Sequence, residues 1–251
     1  MEEYDVRDLI TDLIPYLNCR STYSISNTNK KNNPLIYLIA CLQPQEMRSI
    51  SDHQLRKFSS VFHITFWGRY GKCNMTSFSN LRSLIINCNE ELQNGDLPSH
   101  LLHLYINKSD QINDIRHLTN LKRLELHGDY GITDISHLIN LERLDLSWNN
   151  ASSRIKNISN LTNLNELILE NNKVITDISK LTNLTTLLAS KSLIRDISML
   201  IKLKILYIKK TFIKSISSLT NLEELHVSSD IILKDARMLT NLKNINNVII
   251  R

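Results

Sequence analysis

Glycine and proline are scarce in this chain, 5 and 4 residues of 251, which leaves little room for a flexible linker. The four cysteines, Cys19, Cys41, Cys73 and Cys88, are widely separated and form no Cys-x-x-Cys. Neither a zinc site nor a disulfide framework is signalled, and they read as reduced, mostly buried thiols of an intracellular protein. No apolar run approaches the roughly 18 residues of a membrane span, so no membrane partner is expected. The first residues, MEEYDVRDLITDLIPYL, are acidic ahead of their apolar stretch and lack both a basic region and a small-residue cleavage site. They do not read as a secretory signal. The expected location is cytoplasmic, of the producing organism or, for a viral protein, of its host. A phosphate-cradling glycine loop, a nucleophile elbow and a paired metal-ligand motif are all missing. His117 and His137 share one column of the pattern described next but have no Cys or carboxylate beside them, and His103 and His127 occupy different columns. No catalytic residue, metal or cofactor is therefore expected. A net charge of +5 is too weak to imply nucleic acid without a localised patch.

What the chain has in abundance is one phrase. It reads LTNLKRLEL at Leu118–Leu126, LINLERLDL at Leu138–Leu146, LTNLNELIL at Leu161–Leu169, LTNLTTLLA at Leu181–Ala189 and LTNLEELHV at Leu219–Val227. The first residues of successive L-x-x-L-x-L blocks are Val61, Leu81, Leu101, Leu121, Leu141, Leu164, Leu184, Leu203, Leu222 and Leu242. These stand 19 or 20 residues apart, except for 23 between Leu141 and Leu164, where three extra residues fall near Asn150–Arg154. Leucine at fixed offsets with this period predicts a solenoid. Each unit contributes one short strand, with both leucines of L-x-L inward and the residue between them outward. The return segment supplies a second inward layer, in which Ile132, Ile135 and Leu138 recur as Ile175, Ile178 and Leu181 and again as Ile194, Ile197 and Leu200. No unit buries its apolar edge alone, so stacking builds one continuous core.

Two polar columns share this register. Eight residues after each block start come Asn89, Ser109, Asp129, Asn149, Asn172, Ser192, Thr211 and Asp230, suited to satisfying backbone groups where the chain leaves the strand. On the return, Asp114, Asp134, Asp177 and Asp196 each precede an Ile and are placed to cap a single turn, with Ser215 and Asp235 continuing the column. Returns this short hold a 3₁₀ turn or extended chain. In these features the chain resembles the short-repeat branch of the leucine-rich-repeat superfamily, the type of the phosphatase-1 regulatory subunits and bacterial internalins, over about three quarters of its length. The resemblance implies an α/β solenoid: a right-handed curved array with a parallel concave sheet and a small helical N-terminal cap. It implies recognition without naming what is recognised, because the superfamily binds peptides, proteins, lipids and nucleic acids on one scaffold.

Residues 1–54 lack the repeat, and residues 55–251 carry about ten units of it. Asp8–Leu17 places apolar residues at helical spacing, a polar stretch runs from Ser21 to Asn33, and Leu35–Ala40 is apolar again. One reading is a helical cap over the first strand, which solenoids need for solubility. The other is a resemblance to the F-box: Leu9, Leu13, Ile14, Tyr16 and Leu17 match its first helix, Tyr23–Lys30 its second and Leu35-Ile36 its third, although Asp5-Val6 stands where a Leu-Pro opening is customary. That resemblance implies a Skp1-type adaptor bound through residues 1–45, with the array as substrate receptor of a cullin-type ubiquitin ligase. A structural part in a larger assembly is a third reading. At the other end the chain stops at Asn247–Arg251 with no polar capping segment, and a strand edge there invites self-association.

The outward strand positions form the candidate face for a protein partner. Arg123, Glu125, His127, Arg143, Asp145, Glu166 and Glu170 make a patch of mixed sign, bordered by Tyr105 on one side and by Ile168, Leu188, Tyr207 and Lys209 on the other. Arginine and aromatics amid apolar contacts are what protein interfaces favour. A solvated sheet whose charges pair across rows, Arg123 with Asp145 for example, is the plain alternative. Nucleic acid fits poorly: Lys202, Lys204, Lys209, Lys210 and Lys214 cluster late, but Glu125, Asp145, Glu166 and Glu170 would repel phosphate on the same face.

Overall fold

A computed structural model describes residues 63–67, 75–87, 92–128, 131–149, 155–228, 235–246 and 248–249, the first and last of these as backbone only. The N-terminal segment 1–54, with its cap and F-box-like readings, lies outside the described residues, as do the four cysteines, the extra residues Asn150–Arg154, and Asn89, Asp129 and Asp230. The chain divides into two compact units, Met1–Asn120 and Leu121–Arg251.

In the first unit, β1 (His63–Trp67), β2 (Ser83–Asn87) and β3 (His103–Asn107) run parallel, and the repeat sets their register: Ile64 lies opposite Leu84 and Leu84 opposite Leu104. In the second, β4 (Arg123–His127), β5 (Arg143–Asp145), β6 (Glu166–Ile168), β7 (Thr186–Leu188), β8 (Ile205–Tyr207), β9 (Glu224–His226) and β10 (Asn244–Ile245) follow the same rule. Leu124, Leu144, Leu167, Leu187, Leu206 and Leu225 fall in one row, each opposite the next. All six are fully buried. Each is covered by its counterparts in neighbouring coils, the contact that turns twenty-residue periodicity into a core.

The returns close the other side of that core. Ile132, Ile135 and Leu138 are buried, as are their counterparts through Ile216 and Leu219. Backbone bonds three residues apart, Leu138 N to Ile135 O at 3.0 Å and Leu141 N to Leu138 O at 3.0 Å, recur at Leu181, Leu200 and Leu219. Between β3 and β9 the described returns thus carry single turns and no helix. The expected α/β class resolves over these coils into a parallel β-solenoid, whose returns close by 3₁₀-type bonds three residues apart rather than by helices.

Asparagine ties the coils of the second unit together. In the Leu-Thr-Asn-Leu phrase, the amide of Asn163 donates to Ile139 O, that of Asn183 to Thr162 O, Asn221 to Ile201 O and Asn241 to Thr220 O, all at 2.8–2.9 Å. The expected polar column is present too: Asn172, 1% exposed, donates to Leu146 O and accepts from Val174 N and Ile175 N, each at 2.9 Å. Just before that column the chain turns through a left-handed residue in coil after coil: Lys108, Gly128, Trp148, Asn171, Lys191 and Lys210, with φ between 54° and 62°. Only one of these is glycine, and each of the others costs about 1–2 kcal/mol that the surrounding ladder must overcome. The parallel ladder ends at β10, where β11 (Val248–Ile249) folds back antiparallel, Ile245 opposite Val248.

Candidate functional site

Strand alternation sends Arg123, Glu125 and His127 of β4 to the outward face while Leu124 and Leu126 go in. Arg143 and Asp145 follow on β5, Glu166 and Ile168 on β6 with Glu170 just beyond, Thr186 and Leu188 on β7, Tyr207 on β8 with Lys209 just beyond, and Glu224 and His226 on β9. Tyr105 stands half-buried on β3, in the first unit, opposite Ile85. The other predicted site residues all belong to the second unit.

The in-register repeat brings like charges together. Arg123 lies opposite Arg143, and Glu125 opposite Asp145. Two cross-strand contacts relieve this, one to the register partner Glu166 and one diagonal to Glu125. The Arg143 guanidinium reaches Glu166 (Nη1 to Oε1, 2.5 Å) on one side and Glu125 (Nε to Oε1, 3.7 Å) on the other. The cross-row pair of Arg123 with Asp145 does not form; Arg123 is exposed, and Asp145 turns elsewhere. Its Oδ1 accepts the Ser147 backbone N–H at 2.8 Å, and its Oδ2 lies 3.4 Å from His127 Nε2. The bond to Asp145 raises His127 above the ordinary histidine value, against the opposing effect of burial. Burial pushes the Asp145 carboxyl up, but the bonds from His127 and Ser147 outweigh it and hold the group below the usual range. The donor atoms of Glu125, His127 and Asp145 all lie within 4.8 Å of one another, the set among the described residues that could hold a metal ion.

Three positions expected on the open face are covered instead: Asp145, Ile168 and His226 are 7, 8 and 3% exposed. His226 is covered by Tyr207, its register neighbour, with ring centroids 3.8 Å apart and planes at 14°. Both rings hang on one carboxylate oxygen: Tyr207 Oη donates to Glu224 Oε1 at 2.8 Å, and His226 Nε2 lies 2.8 Å from the same atom. The bond to His226, then that to Tyr207, lowers Glu224, while burial and Glu224 together raise the Tyr207 phenol. Of these three residues the sequence pattern took only Tyr207 into the candidate site, although it put Glu224 and His226 on outward strand positions. The signal for them was a middle-position aromatic followed one coil later by Glu-x-His, since residues opposite and diagonal in a sheet are neighbours.

From β4 to β9 the face therefore runs from paired charge and a buried His–Asp contact, across Ile168 and Leu188, to a stacked Tyr–His pair fixed by Glu224. Arg143, Asp145, Tyr207, Glu224 and His226 are held there by neighbouring side chains. Such a surface loses little conformational entropy when something binds it.

No protein-family model matches the chain, and no curated protein matches it. Solved structures do. A leucine-rich-repeat protein of Leptospira interrogans is 24% identical over 68% of this chain and 50% of that one, with a TM-score of 0.53. The functional domain of the internalin InlJ of Listeria monocytogenes, which includes a cysteine ladder, is 17% identical over 85% of this chain and 61% of that one, with a TM-score of 0.50. Internalin C2 of the same bacterium is 23% identical over 78% of this chain and 83% of that one, at 0.47. At these identities the likeness is one of fold, and the fold is that of the leucine-rich repeat.

Proposed function

We propose that this leucine-rich-repeat solenoid is a non-enzymatic interaction module that holds a protein partner against the outward face of β4–β9. Residues 1–54 serve as its cap and 55–251 as the array. One observation carries the reading: Arg143, Glu166, Leu188 and Tyr207 stand on strands whose other faces are fully buried leucine, so charged, apolar and aromatic contacts are presented from a rigid support. Interfaces concentrate their energy in such fixed Arg and aromatic anchors. The test is capture of partners from source-cell extract by the full chain and by a Leu188→Glu, Tyr207→Ala variant, with circular dichroism to show equal folding. A partner held by the first and released by the second is expected. Equal capture by both removes the face from the interaction.

A further inference from the structure

We infer that Glu125, His127 and Asp145 form a binding site for a divalent transition-metal ion, with zinc the best match. The three come together by sheet geometry alone. Glu125 and His127 are two apart on β4 and so share its outward side, and Asp145 on β5 is the register partner of Glu125. An imidazole nitrogen and carboxylate oxygens from these residues lie within 4.8 Å of one another, so sub-ångström shifts of the side-chain ends would bring them onto one ion at about 2.0–2.2 Å. One histidine with two carboxylates suits zinc and its neighbours rather than calcium or magnesium, which prefer oxygen alone. Three protein ligands leave a fourth tetrahedral position open to water or to an acidic group of another molecule.

Two further features favour the site. Asp145 is already oriented: its Oδ1 is held by the Ser147 N–H at 2.8 Å, which leaves Oδ2 turned toward His127, the kind of outer support that metal-binding carboxylates carry. Charge is also in deficit. Glu125, Asp145 and Glu166 set three carboxylates on this stretch of the face against two guanidinium groups, Arg143 and Arg123 opposite it, and a cation offsets the remaining negative charge. Arg143 is the competitor, since it touches Glu125. That contact is the looser of its two, 3.7 Å against 2.5 Å to Glu166, so Glu125 is the carboxylate it releases more readily.

The experiment uses the full chain, stripped with a chelator and titrated with Co²⁺ and Zn²⁺, beside His127→Gln and Glu125→Gln variants. The cobalt spectrum separates this site from the cysteines, because thiolate ligation gives intense charge-transfer bands and a nitrogen–oxygen site gives weak d–d bands alone. Expected are one ion per chain with the weak bands, a rise in melting temperature with added Zn²⁺, and at least about 10-fold weaker binding in each variant. If His127→Gln misfolds, Glu125→Gln carries the test through a more exposed side chain. Thiolate bands alone, absence of binding at 100-fold excess Zn²⁺, or equal affinity in wild type and variants would overturn the site.

Discussion

At the scale of single residues, the positions that decide this structure are polar ones inside the coil. Asn172 meets three backbone groups, and the two buried ones, Leu146 O and Ile175 N, have no water to turn to when its side chain is lost. Asn172→Ala should cost about 2–4 kcal/mol, because a buried donor or acceptor left unpaired costs about 1–3 kcal/mol. Asn183→Ala, which removes a single exposed bond to Thr162 O, should cost about 1 kcal/mol or less. Urea unfolding of the two variants checks the ranking, and equal costs would mean that the buried ladder is not holding the turn. The sequence showed the first position as a column of Asn, Ser, Asp and Thr and the second as the asparagine of the repeated phrase. It identified the function of the first from its place after the strand and missed that of the second, because Leu-Thr-Asn-Leu does not reveal that the amide points at the carbonyl of the preceding coil.

At the scale of elements, the outermost strands behave differently from the rest. Strands β5 to β9 are each hydrogen-bonded on both sides in the repeat's own register, whereas β10 has a parallel partner on one side and β11 on the other. An edge left unpaired is a template for another chain. The turn that brings β11 back uses Asn246 at φ 50°, a residue type that tolerates the left-handed region, and its Oδ1 also accepts from Val227 N at 2.9 Å. Val248→Pro removes an N–H from the short hairpin and disfavours it. Light scattering should then show a mass that rises with protein concentration where the parent's does not. An unchanged mass would mean that β11 is not what closes the ladder. The self-associating edge expected from the sequence was read from an uncapped last strand, and the fold-back was hidden because Val248 and Ile249 continue no repeat.

At the scale of the whole molecule, acid sensitivity follows from the return-stroke aspartates. Asp114 in the first unit is held far below the usual carboxylate range by Arg116, whose guanidinium and backbone N–H both bond it. In the second unit, Asp177 and Asp196 are lowered chiefly by the backbone N–H groups of Ser179 and Ser198, and Asp235 by the Ser215 hydroxyl and then the Ile216 N–H. Each is depressed on folding, so its stabilisation is present above the unfolded value near 3.9 and is lost as pH falls through the folded one. The melting temperature should hold down to about pH 4 and then drop, and an Asp177→Asn, Asp196→Asn variant should drop less steeply. Asparagine keeps the side-chain oxygen that closes the turn and removes only the charge. Parallel curves for variant and parent would assign the acid loss to other carboxylates.

Sequence alone determined the coil. Leucine and isoleucine at a fixed period can be buried only by their own counterparts in the next unit, so strand positions, register and the two inward layers were all legible before any coordinates. Tertiary structure decided the face. Whether an outward residue is open or covered depends on what stands beside it one coil away, and this is why Asp145, Ile168 and His226 are buried, Arg143 spans Glu125 and Glu166, and Glu125, His127 and Asp145 meet. Those neighbours are some twenty residues off in the chain, and the outward positions carry no periodic signal that would have paired them.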